Sequence, residues 1–198
     1  MFIQVIQGRT SHQDEVRMLD KRWLSELAPG AKGWLGSTLG FTDEGLFVEV
    51  ARFESREAAR ANSARPEQTA FAEDMGKVFD GPLEFHDCDD VTVMLDGGSD
   101  RAGFVQVIQG RVGDAGALKA LMADSDMLHE ARPEIIGATL ALAEDGSFTE
   151  TVAFSDEASA RRGEREAETP EDVRATLDAA MRDARFFDLH QPWFESPS

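Results

Sequence analysis

Apolar and polar residues alternate from Phe2 to Gln7, placing Phe2, Gln4 and Ile6 on one face and Ile3, Val5 and Gln7 on the other, the period-two pattern of a β-strand. Gly8 ends it. Val16, Leu19, Trp23 and Leu27 then recur at helical spacing, which predicts a helix capped by Ser11, with Asp14 and Glu15 in its first turn and Pro29-Gly30 as its stop. Trp34 to Phe41 and Leu46 to Phe53 read as two strands joined by the turn Thr42-Asp43-Glu44-Gly45. Ser55 is expected to cap a helix that Pro66 interrupts, a second helical piece running from Glu67 to Val78. A last strand lies near Leu83 to Asp87, and Val91 to Leu95 is a further extended piece. The order is β-α-β-β-α-β.

The same pattern is then written again. Phe104-Val105-Gln106-Val107-Ile108-Gln109-Gly110-Arg111 differs from Phe2-Ile3-Gln4-Val5-Ile6-Gln7-Gly8-Arg9 only where Ile3 becomes Val105. Phe104 − Phe2 gives an offset of 102, whereas Phe148 − Phe47 and Phe154 − Phe53 give 101, so few insertions separate the copies. Ser155 matches Ser55 as a cap, Thr169-Pro170-Glu171-Asp172 opens a further helix, and Phe186 to His190 is the last strand. The expected organisation is repeat 1 over 1–95, a linker over 96–102 and repeat 2 over 103–198. A period of about 100 residues is too long for a solenoid and fits two copies of one compact domain.

Each copy has the ferredoxin-like element order, so the fold class is α+β: two antiparallel sheets, each with helices on one face. Both faces of the first strand carry large apolar residues. The face away from the helices therefore needs cover, and the sister sheet is the obvious partner, packing face to face into an intramolecular barrel.

Composition narrows the partners. A formal charge of 20 − 38 = −18 repels phosphate backbones and anionic lipid surfaces, so neither nucleic acid nor membrane is expected. Cys88 is the single cysteine, which excludes an intrachain disulfide and leaves no metal-ligand spacing. With no stretch of about 18 apolar residues and no secretory signal pattern, a cytoplasmic protein is expected.

Arg52-Phe53-Glu54-Ser55-Arg56-Glu57-Ala58-Ala59-Arg60 resembles the strand-to-helix junction of the antibiotic-biosynthesis-monooxygenase-like branch of the dimeric α/β-barrel superfamily, here in fused tandem form. The resemblance implies a pseudo-dimer within one chain, open to further dimerisation, and a hydrophobic small molecule as ligand. It also implies cofactor-independent oxygenation of an aromatic or polyketide-like compound. The quinone-forming members rely on a Tyr/Trp/Asn/Arg set, and this chain contains no Tyr. Haem-degrading members use an Asn on the first strand with Trp and His near the second helix; Gln4 and Gln106 stand here instead, so no cofactor is expected. The alternative is a non-catalytic small-molecule-binding or stress-response protein of the same fold.

Candidate chemistry centres on polar residues set into apolar faces. Gln4 lies between Phe2 and Ile6, and Glu49 between Phe47 and Ala51; repeat 2 offers Gln106 and Glu150. A buried unpaired amide or carboxylate costs roughly 2 kcal/mol or more, so these groups either pair with each other or the sister sheet, or Glu49 is a base whose pKa burial raises. His86, after Phe85 on the last strand, is the second catalytic candidate, with Arg52 as its charge partner, and His190 is read as its counterpart in repeat 2. Trp34, in a Gly-rich strand, would wall a flat ligand. Asn62 and Arg65 sit at the Pro66 bend as solvated polar residues or at a pocket mouth, and Trp193 packs the tail onto the body. Gln4, Trp34, Arg52, Asn62, Phe85 and His190 are thus the expected binding residues, and no metal site is expected.

Overall fold

The computed structural model describes residues 1–123, 129–130, 132–166, 174–175, 177–179 and 183–197. They form two compact units, Met1–Asp89 with Trp193–Ser198, and Asp90–Pro192.

Unit 1 is built from β1 (Phe2–Arg9), α1 (Gln13–Glu26), β2 (Trp34–Phe41), β3 (Leu46–Phe53), α2 (Arg56–Ser63), α3 (Pro66–Gly76) and β4 (Glu84–Cys88). Unit 2 contains β5 (Asp90–Met94), β6 (Phe104–Arg111), α4 (Ala115–Met122), β7 (Ile135–Leu142), β8 (Ser147–Phe154), α5 (Glu157–Glu166) and β9 (Arg185–Leu189). The strand β10 (Trp193–Glu195) returns to unit 1. Both sheets are antiparallel and five-stranded, in the order β10-β2-β3-β1-β4 and β5-β7-β8-β6-β9. Each is a four-stranded ferredoxin-like sheet with one extra edge strand, and that strand follows the other repeat in sequence. The strand written after repeat 1 lies in sheet 2, and the strand after repeat 2 lies in sheet 1.

The strand periodicity holds in register. Phe2, Gln4, Ile6 and Gly8 share a face with Phe47, Glu49, Ala51 and Phe53, since Phe2 opposes Phe53 and Ile6 opposes Glu49. That face meets the helices. Ile3, Val5, Val48 and Val50 on the other face are also buried. Burying a Phe such as Phe2, Phe47 or Phe104 completely contributes about 2–3 kcal/mol. Gly8 is required by proximity: a Cβ there would stand 2.6 Å from Leu83 and 2.7 Å from Phe79.

Two caps differ from expectation. Ser11 does not cap α1; its hydroxyl donates to Asp80, while the Thr10 hydroxyl accepts from the His12 backbone N–H at 2.8 Å, leaving His12 at the cap position without a side-chain cap. In unit 2, Asp156 rather than Ser155 caps α5, its carboxylate accepting from the Ser159 N–H at 2.8 Å. A carboxylate is an equally good cap, and the one-residue shift lets it serve. Ser55 does cap α2, accepting from the Ala58 N–H. Pro66 opens α3 at its first position after the break from α2, as a proline lacking an N–H should. The Thr169-Pro170-Glu171-Asp172 helix start falls outside the described residues.

Candidate active site

Unit 1 encloses a cavity of about 350 Å³ between the helix-facing side of its sheet and α1, α2 and α3, within the size range of small-molecule sites. Its walls are aromatic: Trp23, Trp34, Phe47, Phe53, Phe71 and Phe79 all line it. Trp23 and Trp34 meet edge to face, centroids 4.9 Å apart at 77°. The exposed Ser63, Thr69, Ala72 and Phe85 mark the mouth, between the α2–α3 break and β4. Arg65 holds that break open by donating both to the Leu27 carbonyl at 3.0 Å and to the Asn62 amide oxygen at 2.9 Å.

The buried end is acidic. Glu49 on β3, Asp20 on α1 and Glu195 on β10 all line it, together with Ser37 on β2. The Ser37 hydroxyl donates to Glu49 Oε1 at 2.9 Å and accepts from the Trp34 indole N–H at 3.3 Å. The tryptophan thereby commits the serine's one proton to the carboxylate. Burial pushes Glu49 up to about 7, Asp20's charge pushes the same way, and Ser37 and Arg52 oppose them. Glu195 is likewise pushed up to about 7 by burial, by the charge of Asp20 and its hydrogen bond, and by Glu49. Asp20 is raised by burial against the Trp193 indole N–H, which donates to its Oδ2 at 2.7 Å, and against Glu195, Arg17 and Lys21. Three carboxyl groups in one pocket oppose one another's ionisation, and burial favours the protonated form of each.

A bulge between Trp34 and Gly36 makes this end possible. Gly36 has φ +128°, and a Cβ on it would stand 2.7 Å from the Glu195 carbonyl oxygen. Only glycine lets β10 lie against β2 there, and the bulge turns Trp34 onto the cavity face. The Gly-rich strand read from the sequence as a wall for a flat ligand thus gives its close approach to the chain's own β10, and β2 is an interior strand.

Of the residues singled out from the sequence, Gln4, Trp34, Glu49, Asn62 and Phe85 come together around this cavity. Asn62 is buried rather than solvated. Gln4 pairs with neither Glu49 nor its repeat: its amide donates to Asp87 Oδ1 at 2.8 Å, and Asp87 in turn accepts from Arg56 at 3.1 Å. Gln106 and Asp188 repeat that pairing at 2.9 Å, so it belongs to the scaffold of both copies. Arg52 projects from the other face of β3, donating to Thr38 Oγ1 at 2.9 Å, and reaches Glu49 through its charge.

His86 is not brought to the cavity. It opposes Val5, and strand alternation puts it on the far face, with Nε2 lying 3.9 Å from Glu84. His190 is not its counterpart either: Val107, the equivalent of Val5, opposes Phe187. His190 lies in unit 2, with Nδ1 3.0 Å from Glu157. Asp20, Ser37 and Glu195 were not singled out from the sequence. Asp20 carried a signal, an acid one turn after Val16 on the stripe that includes Trp23; Glu195 carried none, because nothing local says which sheet β10 joins.

Unit 2 fills the equivalent positions with apolar side chains. Pairing register places Ile135 where unit 1 has Trp34, Ala138 for Ser37 and Met94 for Glu195, and Met122 follows Leu118 as Asp20 follows Val16. All four substitutes are buried in one apolar core cluster. Glu150 alone persists, matching Glu49, with burial pushing it up to about 7 against the charge of Arg132.

The full chain superposes on solved structures. A candidate monooxygenase from Lactobacillus acidophilus matches 100% of this chain and 97% of its own at TM-score 0.73 and 14% identity. A candidate monooxygenase from Fusobacterium nucleatum matches 98% and 94% at 0.74 and 13% identity. An anthrone oxidase-like protein matches 100% and 93% at 0.70 and 12% identity. No family model matches the sequence, and no curated protein does. At these identities the likeness is one of fold, the tandem α+β arrangement of two ferredoxin-like sheets within one chain that the repeat predicted.

Proposed function

We propose that this protein is a cofactor-independent monooxygenase acting on a flat, hydrophobic aromatic molecule in the unit 1 cavity, with Glu49 as general base. The observation that carries the reading is a carboxyl group held at about 7 at the buried end of an aromatic-walled cavity, poised to gain and lose a proton near neutral pH. The full-length structural neighbours, candidate monooxygenases and an anthrone oxidase-like protein, support this class of reaction.

Glu49 takes a proton from an acidic C–H or phenolic O–H of the substrate. Ser37 occupies Oε1, so Oε2 is the accepting oxygen. The resulting carbanion or enolate reduces dioxygen and combines with it, and the peroxide collapses with loss of water. For a doubly activated methylene, one methylene group and one molecule of dioxygen give one ketone carbonyl and one molecule of water. The protein excludes water from the carbanion, stacks its rings against Trp23 and Trp34, and returns the proton from Glu49 to the departing oxygen.

Oxygen uptake with a panel of anthrones, naphthoquinols and flavonoid-like phenols tests this, with product mass read under labelled dioxygen. Turnover placing one labelled atom in the product is expected. Tight binding of panel members with no oxygen uptake would instead make the protein a binder.

A further inference from the structure

Among the residues lining the cavity, three are carboxylic acids and none is Lys, Arg or His. The cations whose charge reaches these acids stand outside it. Arg17 and Lys21 on α1 act on Asp20, and Arg52 on β3 acts on Glu49. Arg17 lies with its guanidinium 4.0 Å from the Trp193 ring centre, and Arg52 is held by Thr38 on the other face of the sheet. Among the described residues, three acids are therefore gathered at a buried end with no cationic side chain lining the cavity beside them.

Once ionised, such an arrangement opposes an anionic ligand and favours a cationic group over a neutral one. It suits a cation, and the walls beside it suit one too, because the faces of Trp23 and Trp34 attract positive charge. Unit 2 sharpens the point. In unit 2 the same frame places Met94 and Met122 at the positions of Glu195 and Asp20, within an apolar core cluster. Apolar side chains therefore satisfy the fold at these positions, and the acids in unit 1 meet some other requirement.

We infer that the ligand of the unit 1 cavity carries a protonated amine or comparable cationic group, which sits against Glu195 and Asp20 while its aromatic body lies along Trp23 and Trp34. This rests on the reading of the cavity as the ligand site and adds the substrate's charge to it. Glu49, bonded to Ser37 on the β3 side, remains available to the reacting atom.

Three probes of one shape test it: 2-naphthylmethylamine, 2-naphthylmethanol and 2-naphthoate, titrated against the full chain by calorimetry and by tryptophan fluorescence. All three tryptophans of the chain lie at this cavity or bond to its lining, so the emission reports on it. At pH 8 the amine is expected to bind about tenfold or more tighter than the alcohol, which corresponds to about 1.4 kcal/mol, and the acid more weakly than either. At pH 5.5 the preference should shrink as Glu49 and Glu195, pushed up to about 7, protonate. Glu195→Gln and Asp20→Asn should each cost the amine about tenfold while leaving the alcohol within about threefold. Equal binding of amine and alcohol at pH 8, or loss of both probes alike in the variants, would overturn the inference and leave the cavity as a ligand site. Binding of none of the three would overturn both.

Discussion

Asp20 on α1 and Glu195 on β10 meet at the buried end of the unit 1 cavity, where the charge of Asp20 raises Glu195, although they stand near opposite ends of the sequence. Burial raises the third acid, Glu49, the proposed base, and the charge of Asp20 raises it further. The consequences are measurable.

The pH dependence of kcat/KM should rise through about 7 as Glu49 ionises. Asp20→Asn removes a negative neighbour that raises Glu49, so the rising limb should move to lower pH. A limb that stays in place in this variant would mean that Glu49 is not the group being titrated.

Stability should fall as pH rises from about 5 to 8. The folded chain keeps a proton on Glu49 up to about 7 that the unfolded chain releases near its ordinary 4.5, so the folded state binds more protons between those values and loses stability as they leave. A shift from 4.5 to about 7 corresponds to an effect on the order of 3 kcal/mol, and Glu150 adds a similar one. Glu49→Gln should therefore flatten the melting-temperature slope between pH 5 and 8. An unchanged slope would show that the side chain ionises freely.

Much of this site was written in the sequence, and the missing part is missing for a physical reason. Glu49 and Gln4 stood out because alternation is local: a polar residue between two apolar neighbours on one strand face is visible without tertiary information. The same rule excludes His86, since the residue that shares a face with Phe85 is Asp87. Asp20 was legible as an acid on an apolar stripe but was outweighed by the regular Val16-Leu19-Trp23-Leu27 spacing. Glu195 was not legible. Its place depends on β10 crossing to the first repeat's sheet, a pairing decided by long-range closure, and three residues of strand carry no periodic signal of their own. The tandem fold was secure because two copies of one strand repeated nearly residue for residue.

Gly36→Ala should loosen β10. A Cβ meets the Glu195 carbonyl at 2.7 Å and the backbone must hold φ +128°, so a cost of about 1–3 kcal/mol is expected together with a red shift of Trp193 emission. Gly76→Ala, with open space around its Cβ, serves as control and should leave both unchanged.

Ser37→Ala should raise the Glu49 titration further, because it removes the hydroxyl that stabilises the carboxylate. It also strands the Trp34 indole N–H, for a combined stability cost of about 1–3 kcal/mol by chemical denaturation. A titration moved downward would contradict the assigned direction of the Ser37 hydrogen bond.

The repeat supplies the most direct test of the central claim, because Glu49 and Glu150 occupy equivalent strand positions and are both pushed up to about 7. Only Glu49 has the serine, the tryptophan and the two neighbouring acids around it. Oxygen consumption measured for Glu49→Gln and Glu150→Gln on the same substrate separates site from scaffold. Loss of about a hundredfold or more in the first, with turnover retained in the second, is the predicted result. Equal turnover in both variants, or loss confined to Glu150→Gln, would contradict it.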